Sequence, residues 1–112
     1  MAQFNDNDGM LIKTSVHGWT KRISGSYTVT RKDRMIRVDN SGGGGVISFG
    51  LGHDGQEVTL LLTEGGGGGF VTAPVSGSYT ISAQALTNAG HWITYVYDAT
   101  NATWWIKGGD NT

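Results

Sequence analysis

A chain of 112 residues, 38% hydrophobic and 15% charged, has the size of one domain that buries roughly 65% of its unfolded surface; this excludes a second lobe and leaves little room for a deep enclosed site. The absence of cysteine excludes disulfide staples, thiolate nucleophiles and thiolate metal ligands. A formal net charge of −1 excludes the overall basic excess of a general nucleic-acid binder.

The first nine residues, Met1-Ala-Gln-Phe-Asn-Asp-Asn-Asp-Gly9, are polar and acidic. They carry neither the basic start of a signal peptide nor an apolar run long enough for a membrane helix, so a cytosolic product is expected, with no membrane partner. Residues 10–23 mix apolar and basic side chains, and residues 1–25 are read as an extended N-terminal arm. Strand-length segments then follow to the end: Ser26-Tyr-Thr-Val-Thr30, Met35-Ile-Arg-Val-Asp39, Val46-Ile-Ser-Phe49, Glu57-Val-Thr-Leu-Leu-Leu62, Phe70-Val-Thr-Ala73, Ser78-Tyr-Thr-Ile-Ser-Ala-Gln-Ala-Leu86, His91-Trp-Ile-Thr-Tyr-Val-Tyr97 and Thr103-Trp-Trp-Ile-Lys107. They are rich in β-branched and aromatic residues and bounded by Gly, Asn, Asp or Ser. No segment has helical periodicity. The expected fold is all-β: residues 26–112 as a single antiparallel β-sandwich or jelly-roll-like domain of about eight strands.

Two glycine runs, Gly42 to Gly45 and Gly65 to Gly69, interrupt the pattern. Neither is followed by Lys-Ser/Thr or a helix, so neither is a phosphate-cradling loop. They are read as connections packed backbone to backbone near a symmetry axis. Period-two alternation assigns an interior of Tyr27, Val29, Ile36, Val38, Ile47, Phe49, Leu51, Val58, Leu60, Leu62, Val71, Ala73, Val75, Tyr79, Ile81, Ala83, Ala85, Trp92, Val96, Trp104 and Ile106. The opposite faces then carry Leu61, Ile93, Tyr95, Tyr97 and Trp105. Because a soluble monomer seldom exposes a large patch of that kind, these positions are expected at a subunit interface. Trp105, with Ile93, Tyr95 and Tyr97, is the alternative platform for a glycan, since an aromatic ring can stack on a sugar.

Charge is segregated along the chain. Lys13, Lys21, Arg22, Arg31, Lys32, Arg34 and Arg37 face only Asp33 between positions 13 and 37, a net of +6, and the remainder sums to −7. Such separation suits a basic segment that meets an acidic surface of a neighbouring chain better than it suits nucleic acid. Catalysis and metal binding find no motif: His17, His53 and His91 fall in separate segments, and the carboxylates Asp33, Asp39, Asp54, Glu57 and Glu64 show no pairing. No enzyme activity, cofactor or metal is expected. Asn101-Ala-Thr103 is read as a hairpin turn.

Four stretches resemble a small β-module of tailed-phage virion proteins. They are Ser26-Tyr-Thr-Val-Thr-Arg-Lys-Asp33 running into Val38-Asp-Asn-Ser-Gly-Gly43, then Val46-Ile-Ser-Phe-Gly-Leu-Gly52, Gly55-Gln-Glu-Val-Thr-Leu60 and Tyr97-Asp-Ala-Thr-Asn-Ala-Thr-Trp-Trp-Ile106. Two departures stand out: Gly52 where the family tends to have proline, and a longer turn at Asp98-Ala-Thr-Asn-Ala102. Phe70-Val-Thr-Ala-Pro-Val-Ser-Gly-Ser-Tyr79 is similar to trimeric jelly rolls of the complement-head type. The resemblance implies a homo-oligomer, a trimer first, in the virion. A free module with a mixed apolar and basic arm fits a capsid decoration (cement) protein bound to the major capsid protein. Leu11, Ile12, Val16, Trp19 and Ile23 would then supply apolar contacts and Lys13, Lys21 and Arg22 charge complementarity. The alternative is a tail-fibre or receptor-binding module that recognises a bacterial surface glycan.

Overall fold

The computed structural model describes residues 18–64 and 68–111. Ten strands run in chain order: β1 (Lys21–Ile23), β2 (Tyr27–Thr28), β3 (Met35–Asp39), β4 (Gly45–Phe49), β5 (Glu57–Glu64), β6 (Phe70–Pro74), β7 (Thr80–Ile81), β8 (Ala85–Leu86), β9 (Trp92–Asp98) and β10 (Thr103–Asp110). No helix occurs among the described residues. One sheet of six strands has the order β1-β3-β5-β9-β10-β7, and a second sheet of four has the order β2-β4-β6-β8.

The fold is all-β, as its residues dictate, but it is solenoid-like rather than an antiparallel sandwich. From β1 to β6 the chain enters the two sheets alternately, so strands that follow one another in sequence do not pair. Each strand pairs with the one two elements later. The pairs β1–β3, β3–β5, β2–β4 and β4–β6 are all parallel. Register aligns Ile23 with Val38 and Val38 with Leu62 in one sheet, and Tyr27 with Ile47 and Ile47 with Thr72 in the other. Three stacked half-turn pairs result, and their apolar rows fill the space between the sheets. The antiparallel hairpin of β9 and β10 closes the stack by pairing β9 on β5, while β8 runs antiparallel to β6.

The glycine runs explain how such coils can stack. A side chain at Gly44 would strike the carbonyl oxygen of Gly69, one at Gly68 would lie 2.9 Å from the Gly44 nitrogen, and one at Gly45 would lie 2.8 Å from the Ser26 nitrogen. Gly45 N–H donates to Gly69 O at 3.2 Å, and the Asn40 amide donates to Gly68 O at 2.9 Å. Gly43 sits at φ 120°, where only glycine is at ease. The backbone-to-backbone packing is therefore within one chain, between successive coils.

The core comprises Ile23, Val29, Ile36, Val38, Ile47, Phe49, Val58, Leu60, Leu62, Phe70, Leu86, Ile93, Tyr95, Tyr97 and Trp104. Phe49 packs against Tyr95 and Trp104 with ring centroids 5.0 Å apart in each case, and Tyr97 against Trp104 at 4.8 Å. The Trp104 indole N–H donates to Gly50 O at 2.8 Å. A side chain at Gly52 would sit 2.8 Å from the Trp104 ring, so this glycine makes room for that indole.

Two of the longer strands, like the two-residue β8, have the opposite phase from the one alternation suggested. In β9, Ile93, Tyr95 and Tyr97 point inward and Trp92 is 37% exposed; in β6, Phe70 and Thr72 point inward and Val71 is exposed. Both faces of these strands are apolar enough that period two alone does not choose between them. Hydroxyl chemistry supplies the physical reason. Gln84 N–H donates to Thr72 Oγ1 at 2.8 Å, Thr72 Oγ1 and Tyr95 Oη lie 2.7 Å apart, and Tyr95 O–H donates to Ser82 O at 2.8 Å. This chain of bonds satisfies the two buried hydroxyls only with Thr72 and Tyr95 turned inward. Leu51, Val75 and Ile106, also assigned to the interior, are 54%, 43% and 42% exposed, and Ala83 and Ala85 are exposed as well.

Candidate binding surface

The residues expected to contact a partner are dispersed by the fold. Leu11, Ile12, Lys13 and Val16 lie outside the described residues. Trp19 is half-buried and Arg22 exposed. Lys21 holds its ammonium 5.4 Å from the centre of the Tyr27 ring, and Ile23 is buried in the core of its own chain. Lys21–Ile23, near the end of the expected arm, is thus an edge strand, β1, of the larger sheet. Ile93, Tyr95 and Tyr97 are corrected from surface to core, because their side chains fill the space between the sheets at 0–3% exposure. Trp105 alone of that group faces solvent, at 54%.

What the structure places beside Trp105 is different. Antiparallel pairing sets Trp105 opposite Val96, Thr94 opposite Thr59, and Trp92 opposite Leu61. Partners across a ladder share a face, so Trp92, Thr94, Val96, Glu57, Thr59, Leu61 and Trp105 lie together on the outer face of the larger sheet. A register shift between Thr94 and Tyr95 loops Lys107 out of the β10 ladder, and its ammonium meets Glu57 Oε2 at 2.7 Å. Thr59 and Thr94 hydroxyls lie 2.7 Å apart. A side chain built at Gly108 would be 3.5 Å from the far edge of the Trp92 ring, so that indole reaches across β10 along the sheet.

The Trp105 indole is oriented by its N–H, which donates to Asp98 Oδ2 at 3.2 Å. Asp98 also receives the Asn101 amide at 2.7 Å and the Thr100 backbone N–H at 3.0 Å. These bonds, the Asn101 side chain first and then Trp105, hold the Asp98 carboxyl below its ordinary pKa. The turn at residues 98–102, with Ala102 at φ 49°, is therefore the element that orients Trp105. On either flank lie shallow depressions: one of about 280 Å³ among Glu57, Thr59, Trp92, Thr94, Lys107 and Gly108, and one of about 460 Å³ beside Trp105, between β7 and β10.

The carboxylates flagged in the sequence serve the fold. Asp33 is buried and accepts from Tyr27 O–H at 2.6 Å and from Thr30 N–H at 2.8 Å. Burial first, and this bond second, push the Tyr27 phenol up to about 12. Asp39 accepts from Ser41 N–H at 2.8 Å, which lowers its pKa, and Asp54 accepts from Ala99 N–H at 3.0 Å. His91 Nδ1 faces the backbone N–H groups of Thr87 and Asn88, and His53 Nδ1 lies 3.1 Å from an Arg31 guanidinium nitrogen. No cluster of three metal-ligating side chains occurs among the described residues.

Arg31, Lys32 and Arg34 gather with His53 around a further open depression, of about 410 Å³. Its acidic members are engaged elsewhere, Asp33 with Tyr27, Asp54 with Ala99 and Glu57 with Lys107. The outer-face set containing Trp92, Thr59, Thr94, Glu57 and Lys107 escaped sequence reasoning, which placed Trp92 in the core. Cross-strand neighbours 35 and 50 residues apart leave no local signal.

No family model matches the chain, and a search of curated proteins finds no match.

Proposed function

We propose that the chain is a non-enzymatic structural protein of a phage particle, a capsid decoration protein that binds the shell formed by the major capsid protein and stabilises it. One observation carries this reading. Val46, Leu51, Val71, Val75, Trp92, Trp105 and Ile106 are between 37% and 54% exposed on a protomer of this size, and Val46, Val71 and Ala85 form one row across the smaller sheet. Such a row on the smaller sheet suits a subunit covered there by its neighbours, in a homo-oligomer, with a trimer as the leading expectation. The basic turn bearing Arg31, Lys32 and Arg34 would complement acidic capsid surface. A protein that binds only the assembled shell stabilises it by mass action. The sequence resemblance to phage virion modules supports the same placement.

A second reading, a tail-fibre or receptor-binding module for a bacterial glycan, is favoured by Trp105, exposed and yet held in orientation by Asp98. Quantitative mass spectrometry of purified particles of the encoding phage separates the two. A copy number near a simple ratio to the major capsid protein is the expected result. A few copies per particle would move the protein to the tail, and absence from the particle would overturn the virion assignment.

A further inference from the structure

We infer that the outer face of the six-stranded sheet is a saccharide-binding track, with Trp92 and Trp105 as its two stacking ends. The inference develops the second reading's premise that exposed aromatics recognise sugar, and it is independent of where in a particle the protein sits.

Trp105 pairs with Val96, four residues along β9 from Trp92. Both side chains point to the same face, about 13 Å apart along the strands at roughly 3.3 Å per residue. Between them runs a strip that is polar without being strongly charged: the Thr59 and Thr94 hydroxyls, 2.7 Å apart, and the Glu57–Lys107 ion pair, also 2.7 Å. Each hydroxyl can donate and accept, the carboxylate accepts, and the ammonium donates. A ligand that carries donors and acceptors at every few ångströms, with an apolar ring face at each end, matches this sequence of groups. A linear oligosaccharide has that chemistry, since a pyranose offers an apolar C–H face to an indole and hydroxyls around its rim.

The geometry of each tryptophan fits a platform. Trp92 reaches along the sheet to Gly108, where its ring edge would lie 3.5 Å from an added side-chain carbon, so the ring lies along the strand. Trp105 is fixed by its bond to Asp98, so little side-chain entropy is lost when a ring stacks on it. A protein partner would meet an apolar centre in a well-packed interface. Here the centre of the strip is two threonines and an ion pair, and the aromatics are at the ends.

The test uses the full chain labelled with nitrogen-15 and linear oligosaccharides of glucose, N-acetylglucosamine and mannose, each in increasing length. The indole N–H signals of Trp92 and Trp105 are followed by NMR and affinities by calorimetry. At least one series is expected to shift both exposed indoles while the buried Trp104 signal stays in place. Affinity should rise about tenfold once the ligand spans both rings, the equivalent of one further stacked ring. Trp92→Ala should abolish that gain in length dependence and leave monosaccharide binding at Trp105, and Trp92→Phe should restore part of it. Glu57→Gln, a change on the solvent face that leaves Trp92 in place, should weaken every ligand that reaches the centre. Failure of all three series to shift either indole would overturn the track, as would length dependence that persists in Trp92→Ala. Indole shifts that appear on concentrating the protein without sugar would assign the face to a second copy instead, and also overturn it. None of these outcomes alters the copy-number result.

Discussion

Replacing Tyr95 by phenylalanine removes one oxygen from the centre of the fold, and the structure says what that oxygen does. Its hydroxyl donates to Ser82 O at 2.8 Å and lies 2.7 Å from Thr72 Oγ1, which in turn accepts from Gln84 N–H. The chain of three bonds ties β6 and β9, which belong to different sheets, to the segment between β7 and β8. In Tyr95→Phe, Ser82 O loses its donor and Thr72 Oγ1 its acceptor. Thr72 can turn toward Gln84 O, 3.5 Å away, a long and weak replacement. Ser82 is exposed, so its carbonyl can recruit water and escape the full penalty of an unmet buried acceptor. The expected loss is therefore about 1–2 kcal/mol, toward the lower end for buried hydrogen bonds. For a domain near 100 residues this lowers Tm by roughly 5–12 °C. Thr72→Val should cost a similar amount, and because both variants cut the same chain, the double variant should lose less than the sum by about 1 kcal/mol. Urea unfolding followed by circular dichroism, at neutral pH and one fixed protein concentration, measures all four corners. A Tyr95→Phe loss below about 0.3 kcal/mol together with additive behaviour would refute the view that this hydroxyl chain joins the sheets.

Gly44→Ala should be the most disruptive Gly→Ala change among the described glycines, because the new carbon meets the Gly69 carbonyl, which is backbone and cannot rotate away; loss of the cooperative unfolding transition, or at least about 3 kcal/mol, is expected by circular dichroism. Asp33→Ala leaves the Tyr27 hydroxyl and the Thr30 N–H without their acceptor and should cost about 2–4 kcal/mol in urea unfolding, with Asp33→Asn recovering part of it. The Tyr27 and Tyr95 phenols are both pushed up to about 12, chiefly by burial. Their folded values exceed the unfolded value near 10, so their contribution to stability is complete below pH 10 and declines as pH rises toward 12. A spectrophotometric titration should accordingly show these tyrosines ionising late, and one in which all four tyrosines titrate together near 10 would contradict the packing.

How much of this was legible in the sequence differs between strands for a physical reason. The β3, β4 and β5 interiors, Ile36, Val38, Ile47, Phe49, Val58, Leu60 and Leu62, were readable because polar residues alternate with them. In β9 the two faces are Trp92-Thr94-Val96 and Ile93-Tyr95-Tyr97, and hydrophobicity alone does not rank them. The decision was made by Thr72 and Ser82, which are remote in sequence. Topology was hidden for a related reason. A period-two pattern says that a strand has an inside, and nothing about which strand lies beside it, so coils that alternate between two sheets look like hairpins in a sandwich. The glycine runs were the one available sign, since a sandwich hairpin has no use for four or five glycines, whereas stacked turns in backbone contact do.

The coil topology also bears on where association can occur. A stack of parallel coils has two ends, each offering unpaired backbone that another chain could extend. At one end the β9–β10 hairpin pairs with β5, and beyond it only the two-residue strand β7 lies against β10. Lys107, looped out at the register shift in β10 and paired with Glu57, interrupts the regular edge beyond Trp104. At the other end, among the described strands, β1 and β2 are three and two residues long, and Lys21 and Arg22 stand on β1. Short strands, lysines and irregular register are the devices by which sheet edges resist pairing. With the edges so guarded, contact is directed to the faces: the Val46, Val71 and Ala85 row on the smaller sheet and the tryptophan-bearing face of the larger one. The two faces differ in chemistry, one apolar and built of small side chains, the other polar between two aromatic ends. In the proposed assembly, burying the first against other subunits would leave the second turned outward.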